Sequence, residues 1–207
     1  MQLVIPDFFK LLYPKIIKSF PKAKGKLFFT FDDGPNPSVT PFILDILEKY
    51  NAKATFFCTG ENVEKHPEIY MMIKNGGHAT GNHTYSHING FKCSKNKYIE
   101  DVDRASLYIH SEIFRPPYGK LLPSQYVALA KVFKIVFWDV IAFDYNVNLK
   151  PEDCVKIVLN KTKDGSIIVF HDNNKAKERV LNALPIVLEH FKNLGFTFDC
   201  IKFESVI

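Results

Sequence analysis

Apolar residues follow two rhythms along this chain. Short runs rich in β-branched and aromatic residues (KLFFTF, KATFFCT, GGHATG, EIFRPP, KIVFWDVIA, GSIIVFHD and FTFDCI) read as about seven strands. Some, such as IIVF, are too continuously apolar to leave one face in water, which implies burial on both sides. Between several of them VTPFILDILEKY, NVEKHPEIYMMIKNG, KYIEDVDRASLYIH and VLNALPIVLEHFKNLG repeat apolar residues at i, i+3, i+4 and i+7, the period of a helix with one buried face. Strand and helix alternate, so the sheet is expected to be mainly parallel. About seven such units in 207 residues fit an α/β fold, a distorted (β/α) barrel in a single domain, better than an open nucleotide-binding sheet. Neither a Gly-x-Gly-x-x-Gly nor a phosphate-loop pattern occurs.

Ahead of the first strand, residues 1–25 read as an N-terminal extension and residues 26–207 as the catalytic domain. Phe8, Phe9, Leu12 and Ile16 recur at helical spacing with Lys10, Lys15 and Lys18 between them, an amphipathic helix that suits either its own domain or an anionic membrane surface. Pro14 interrupts the pattern and favours the first. Pro6, Asp7, Lys10 and Pro14 break the apolar residues before a secretory signal can build up, and no transmembrane stretch is visible. The default expectation is therefore a cytoplasmic or membrane-peripheral protein.

Composition adds mostly exclusions. A hydrophobic content of 46% with 24% charged residues is that of a folded globular enzyme. The net charge of +5 is carried by lysines interspersed with acids, and Arg104, Arg115 and Arg179 are the only arginines, so no nucleic-acid partner is expected. Cys58, Cys93, Cys154 and Cys200 lack metal-knuckle spacing and are read as reduced.

Candidate chemistry gathers at the ends of the strand-like runs, where a parallel barrel opens its mouth. Asp32 and Asp33 close the first run, Arg115 the fourth and His171 the sixth; Asp144 follows the fifth, and His83 and His87 follow the third. Alternation along a strand would send the side chains of Asp32 and Asp33 in different directions, so that one can hold a cation while the other stays free. Gly34, Pro35 and Pro37 then turn the chain, and Ser38 is the expected cap of the next helix. His83 and His87 lie four apart, on one face of a helical turn or around one pocket in a loop. Two imidazoles and one carboxylate make a three-ligand divalent-metal site with a fourth position free, for which zinc is the expected ion and cobalt, nickel or manganese are alternatives. A guanidinium at Arg115 is expected to grip a carboxylate with two prongs, and Asp139 or Asp144 to orient His171. His66, His78, His110 and His190 have no such company.

The blocks Thr30-Phe31-Asp32-Asp33, His83-Thr84-Tyr85-Ser86-His87, Arg115-Pro116-Pro117-Tyr118 and Val169-Phe170-His171, in this order, resemble the polysaccharide deacetylases of carbohydrate esterase family four, from about Lys26 to Cys200. The resemblance implies a barrel enzyme that removes acetyl groups from N-acetylated, sometimes O-acetylated, sugars. It implies Asp33, His83 and His87 as metal ligands, Asp32 as general base, His171 as general acid and Arg115 as the residue holding Asp32. It further implies Asp144 as partner of His171 and the Tyr118 N–H as oxyanion donor, with Pro117, Tyr118, Trp138 and Tyr145 walling the acetylated carbohydrate substrate. Two blocks depart from the family pattern. IAFDY, with Ile141, Asp144 and Tyr145, stands where Asp-x-x-Asp-Trp is usual, and Val169 where leucine is usual. Both departures bear on the substrate rather than on the chemistry. The competing readings are a catalytically silent carbohydrate- or metal-binding protein on the same fold and a two-carboxylate glycoside hydrolase.

Overall fold

The computed structural model describes residues 12–203. Eight strands occur among them: β1 (Lys26–Asp32), β2 (Thr55–Cys58), β3 (Ala79–Asn82), β4 (Ile113–Phe114), β5 (Lys134–Ile135), β6 (Val140–Ile141), β7 (Ile167–His171) and β8 (Thr197–Phe198). Seven helices accompany them: α1 (Thr40–Lys49), α2 (Gly60–Lys65), α3 (Pro67–Asn75), α4 (Lys95–Ser106), α5 (Pro123–Leu129), α6 (Pro151–Lys161) and α7 (Lys177–Asn193). The strands run in the order β5-β4-β3-β2-β1-β7-β6, all parallel, and β8 pairs with the start of β1. This is the expected distorted barrel.

Strand alternation sorts the core. Leu27, Phe29 and Phe31 of β1, with Phe56 of β2 and Ile168 and Phe170 of β7, face the helices and pack in the largest apolar cluster. The apolar stripe of α7 joins them through Val180, Ala183, Leu184, Val187, Leu188 and Phe191, at the spacing its sequence predicts. Phe28, Phe57, Ile113, Val136, Ile167 and Ile201 form a smaller cluster that fills the barrel interior. Packing therefore fixes β1 on both faces, and six of its seven residues are buried.

Three expectations change. NVEKHPEIYMMIKNG is two helices, because Pro67 cannot continue a helix begun before it and instead starts α3. Ser38 does not cap α1: its hydroxyl bonds Asn36 and Asn174, Val39 occupies the cap position, and no side chain caps the helix. KIVFWDVIA is two strands rather than one, and these are the opposite edges of the seven-strand path, joined by residues 136–139. Four linking residues reach at most about 18 Å when extended, so the sheet has to curl until its edges nearly meet.

Residues of the N-terminal segment occupy that seam. Ile17 N–H donates to Ile135 O at 2.9 Å and Phe137 N–H to Ile17 O at 2.7 Å, while Phe20 N–H donates to Gly165 O at 2.7 Å. Gly165 has φ +71°, and a Cβ there would lie 1.8 Å from Phe20 O, so both backbone conformation and contact require glycine. Tyr13 is buried, and Leu12 and Ile16 pack beside it. Phe8, Phe9 and Lys10, which carry much of the amphipathic pattern, lie outside the described residues. Among the described residues no helix is long and apolar enough to cross a membrane.

Candidate active site

The strand ends converge as the sequence predicts: β1 ends at Asp32, β3 at Asn82 just before His83, β4 at Phe114 just before Arg115, and β7 at His171. Asp32 and His171 are register partners on the neighbouring strands β1 and β7, so both project from the same face of the sheet.

Below Asp32 lies Arg115, which is wholly buried. Its Nη1 donates to Asp32 Oδ1 at 2.6 Å and to Thr30 Oγ1 at 2.8 Å, Nη2 donates to Phe137 O at 3.0 Å and Nε to Val136 O at 3.3 Å. The guanidinium also sits 4.0 Å from the Phe57 ring centroid. The two-pronged grip expected of Arg115 is thus a single prong, because its remaining donors satisfy carbonyls of the 136–139 seam. Burial depresses the guanidinium pKa, and the Asp32 charge opposes that. The pair is a charge placed at the top of an apolar plug, held by four hydrogen bonds from the guanidinium.

Asp33 diverges from Asp32, though not by strand alternation: the strand has ended, and Asp33 takes φ 87°. Asn62 Nδ2 and Thr59 Oγ1 donate to its carbonyl, at 2.7 and 3.4 Å, which holds this left-handed backbone. The carboxylate meets both histidines, Oδ1 lying 2.9 Å from His87 Nε2 and 3.6 Å from His83 Nε2. The histidines sit on a tight loop rather than a helical turn, with Thr84 and His87 at φ 65° and 55°. Asp101 pins that loop, accepting from Tyr85 N–H at 2.8 Å, Ser86 N–H at 3.0 Å and Ser86 Oγ at 2.7 Å.

One ligand atom from each of Asp33, His83 and His87 lies within 4.8 Å of the other two. The donor set fits a divalent cation in its protonation chemistry as well. His83 Nδ1 donates to Arg115 O at 2.7 Å, so Nε2, which faces Asp33, is the nitrogen left to ligate a cation in place of the proton it shares with that carboxylate. His87 Nδ1 lies 3.1 Å from Tyr118 Oη and has the same Nε2 available. Burial would raise the Asp33 pKa, but hydrogen bonds from both histidines and the charges of His171 and His87 hold it well below the usual carboxylate range. Asp33 stays ionised.

His171 Nδ1 bonds Asp144 Oδ1 at 2.7 Å, and His171 N–H donates to Asp144 Oδ2 at 2.7 Å. Asp139 takes no part: it accepts from Ser166 Oγ and Ile167 N–H. Burial would lower the His171 pKa, but the charge and hydrogen bond of Asp144, with Asp33 and Asp32 adding, push it up to about 9. Tyr145 lies edge-on to the His171 ring at 5.1 Å. Tyr118, 60% exposed and at φ 61°, stands over His87, with ring centroids 4.6 Å apart. Trp138 packs toward Gly119 beside that turn, and Pro117 is buried beneath it.

Three polar residues escaped the sequence reading. Arg179 is buried and donates Nε–H to Asp144 O. Asp172, wholly buried, accepts from Gly34 N–H at 2.8 Å and Thr40 Oγ1 at 2.6 Å, and burial raises its pKa to about 7. Asn173 donates Nδ2–H to Asp33 Oδ2 at 2.6 Å. One signal was available: an acid directly after a strand-end histidine must leave the strand on the other face, toward the helices, and so needs a donor there.

Comparison with known proteins gives a consistent picture. Residues 20–136 match the polysaccharide deacetylase family. A peptidoglycan-N-acetylglucosamine deacetylase of Bacillus cereus is 36% identical over 188 residues, covering 87% of this chain and 68% of that protein. A chitooligosaccharide deacetylase of Azorhizobium caulinodans is 33% identical over 160 residues, 72% of this chain and 74% of its own. The crystal structure of the Bc1960 peptidoglycan N-acetylglucosamine deacetylase superposes with a TM-score of 0.88 at 33% identity, covering 93% of this chain and 94% of that one.

Proposed function

The chain belongs to the polysaccharide deacetylase family, and on that premise we propose that it hydrolyses the acetamide of N-acetylglucosamine residues in peptidoglycan or a related oligosaccharide, releasing acetate. The observation that carries this reading is the pairing of Asp32 and His171 in register across β1 and β7, beside the Asp33, His83 and His87 donor set. A base and an acid held on adjacent strand ends can act on the two sides of one amide bond.

In this reading Asp33, His83 and His87 hold a divalent ion, and zinc suits two imidazoles and one carboxylate. Such an ion supplies Lewis acidity to the acetyl carbonyl and makes water a stronger acid. Asp32, oriented by Arg115, takes the proton as water attacks the carbonyl carbon. The Tyr118 N–H donates to the oxygen on which negative charge grows, a type of contact whose loss typically costs ~10²- to 10³-fold in rate. His171 carries its proton on Nε2 while Nδ1 is anchored on Asp144, and delivers it to the sugar nitrogen as the C–N bond breaks. Tyr118, Trp138 and Tyr145 offer faces for sugar stacking, with Pro117 shaping the turn below them. Tyr145 in place of the family's usual tryptophan changes the slot beside His171.

Acetate release from peptidoglycan and N-acetylglucosamine oligomers tests the proposal with zinc-loaded protein. Asp32→Asn and His171→Ala are each expected to lower kcat at least ~10²-fold with the fold intact. Release at the wild-type rate by Asp32→Asn, or none by the wild type from any of these substrates, would overturn it.

A further inference from the structure

Asn173 joins two roles that a turn residue does not need to join. Its Oδ1 accepts from Ala176 N–H at 2.9 Å, closing the turn that leads into α7. That bond orients the amide, because the carbonyl oxygen faces a donor and the NH₂ group must point the other way. It points at Asp33, and Nδ2 donates to Oδ2 at 2.6 Å. The other oxygen of the same carboxylate, Oδ1, is the one that faces His83 Nε2 and His87 Nε2.

From this division of labour we infer that Asn173 is a positioning residue for the metal site: it occupies Asp33 Oδ2, so that the carboxylate meets a cation through Oδ1 alone. The inference rests on the metal reading given above for Asp33, His83 and His87. Three features make the donor more than a by-product of the turn. Closing the turn needs only an acceptor, which serine or aspartate would supply equally well. Aspartate here would set a second carboxylate against Asp33. The segment is also fixed against movement, since Asp172 grips Gly34 N–H and Asn174 bonds Ser38. A Cβ on Gly34 would fall 1.9 Å from Asp172 Oδ2, so the two strand ends approach as closely as backbone allows. A ligating carboxylate gains from such an outer partner because its orientation is set before the ion arrives, and loss of these partners typically lowers metal affinity ~10- to 100-fold.

The test is zinc affinity, measured by competition with a chromophoric chelator on the full chain, together with the melting temperature of the metal-free protein. Asn173→Ser keeps an acceptor for Ala176 N–H but cannot reach Asp33. Zinc affinity is expected to fall ~10- to 100-fold while the metal-free melting temperature stays near the wild type's. Asn173→Ala, which removes both contacts, is expected to lose at least as much affinity and to melt lower. Wild-type zinc affinity in Asn173→Ser, whether or not Asn173→Ala is impaired, would reduce Asn173 to a turn residue and overturn the inference. If the wild type binds zinc no better than Asp33→Asn, the metal reading itself fails and the inference falls with it. That result differs from a wild type that binds and an Asn173→Ser that binds equally.

Discussion

At the scale of single residues, every charge in the site has dedicated partners. Asp32 has Arg115, Asp33 has the histidines and Asn173, and His171 has Asp144. The last pair has a measurable pH signature. The folded chain binds the His171 proton more tightly than the unfolded chain does, with a pKa of about 9 against 6.5. Its contribution, about 3 kcal/mol, is complete below pH 6.5 and is lost as the pH rises through 9. Urea titrations of metal-free protein should show this decline, and His171→Ala should flatten it; equal slopes between pH 6.5 and 9 would refute the assignment. Most of these residues are legible in the sequence because charged groups ending apolar runs are conspicuous. Asn173 and Arg179 are not: each acts through a partner more than 30 positions away, and neither breaks a pattern in its own neighbourhood.

At the scale of elements, the loop after β3 has no regular hydrogen bonding of its own, yet it carries both histidines. Its shape comes from α2, where Gly60 and Glu61 N–H groups take the carbonyls of Thr84 and Tyr85, and from Asp101 on α4. The acid supplies three bonds to a charged acceptor, each of a kind worth about 1.5–3 kcal/mol. Asp101→Ala should therefore lower zinc affinity ~10-fold or more and destabilise the protein by a few kcal/mol, read by chelator competition and urea unfolding. An unchanged affinity would mean that the histidines hold their places unaided. Spacing alone left open whether His83 and His87 share a helical turn or a loop. What decides it is Asp101, a surface-looking acid in a helical segment whose sequence gives no hint that it faces backwards.

At the scale of the whole molecule, the barrel closes by chain continuity and by a borrowed segment rather than by a complete ladder. Periodicity revealed the parallel α/β architecture but not this closure, since KIVFWDVIA is apolar throughout and nothing in it marks the passage from one edge to the other. The same holds for residues 17–20, whose backbone bonds to positions 135–137 and 165 carry no local sequence signal. We expect a chain beginning at residue 26, the boundary suggested by the first strand, to leave those backbone groups and the Phe28 ring uncovered. It should unfold at markedly lower urea concentration than the full chain, or fail to accumulate as folded protein; equal midpoints would show the seam to be dispensable. The arrangement also bears on synthesis. Strand β1 is made before the other strands, but its partners β7 and β8 and the seam contact at Gly165 follow only after β6, so a nascent chain cannot complete this interior until β8 has left the ribosome. Until then the aromatic residues of β1 depend on whatever the cell provides to shield them.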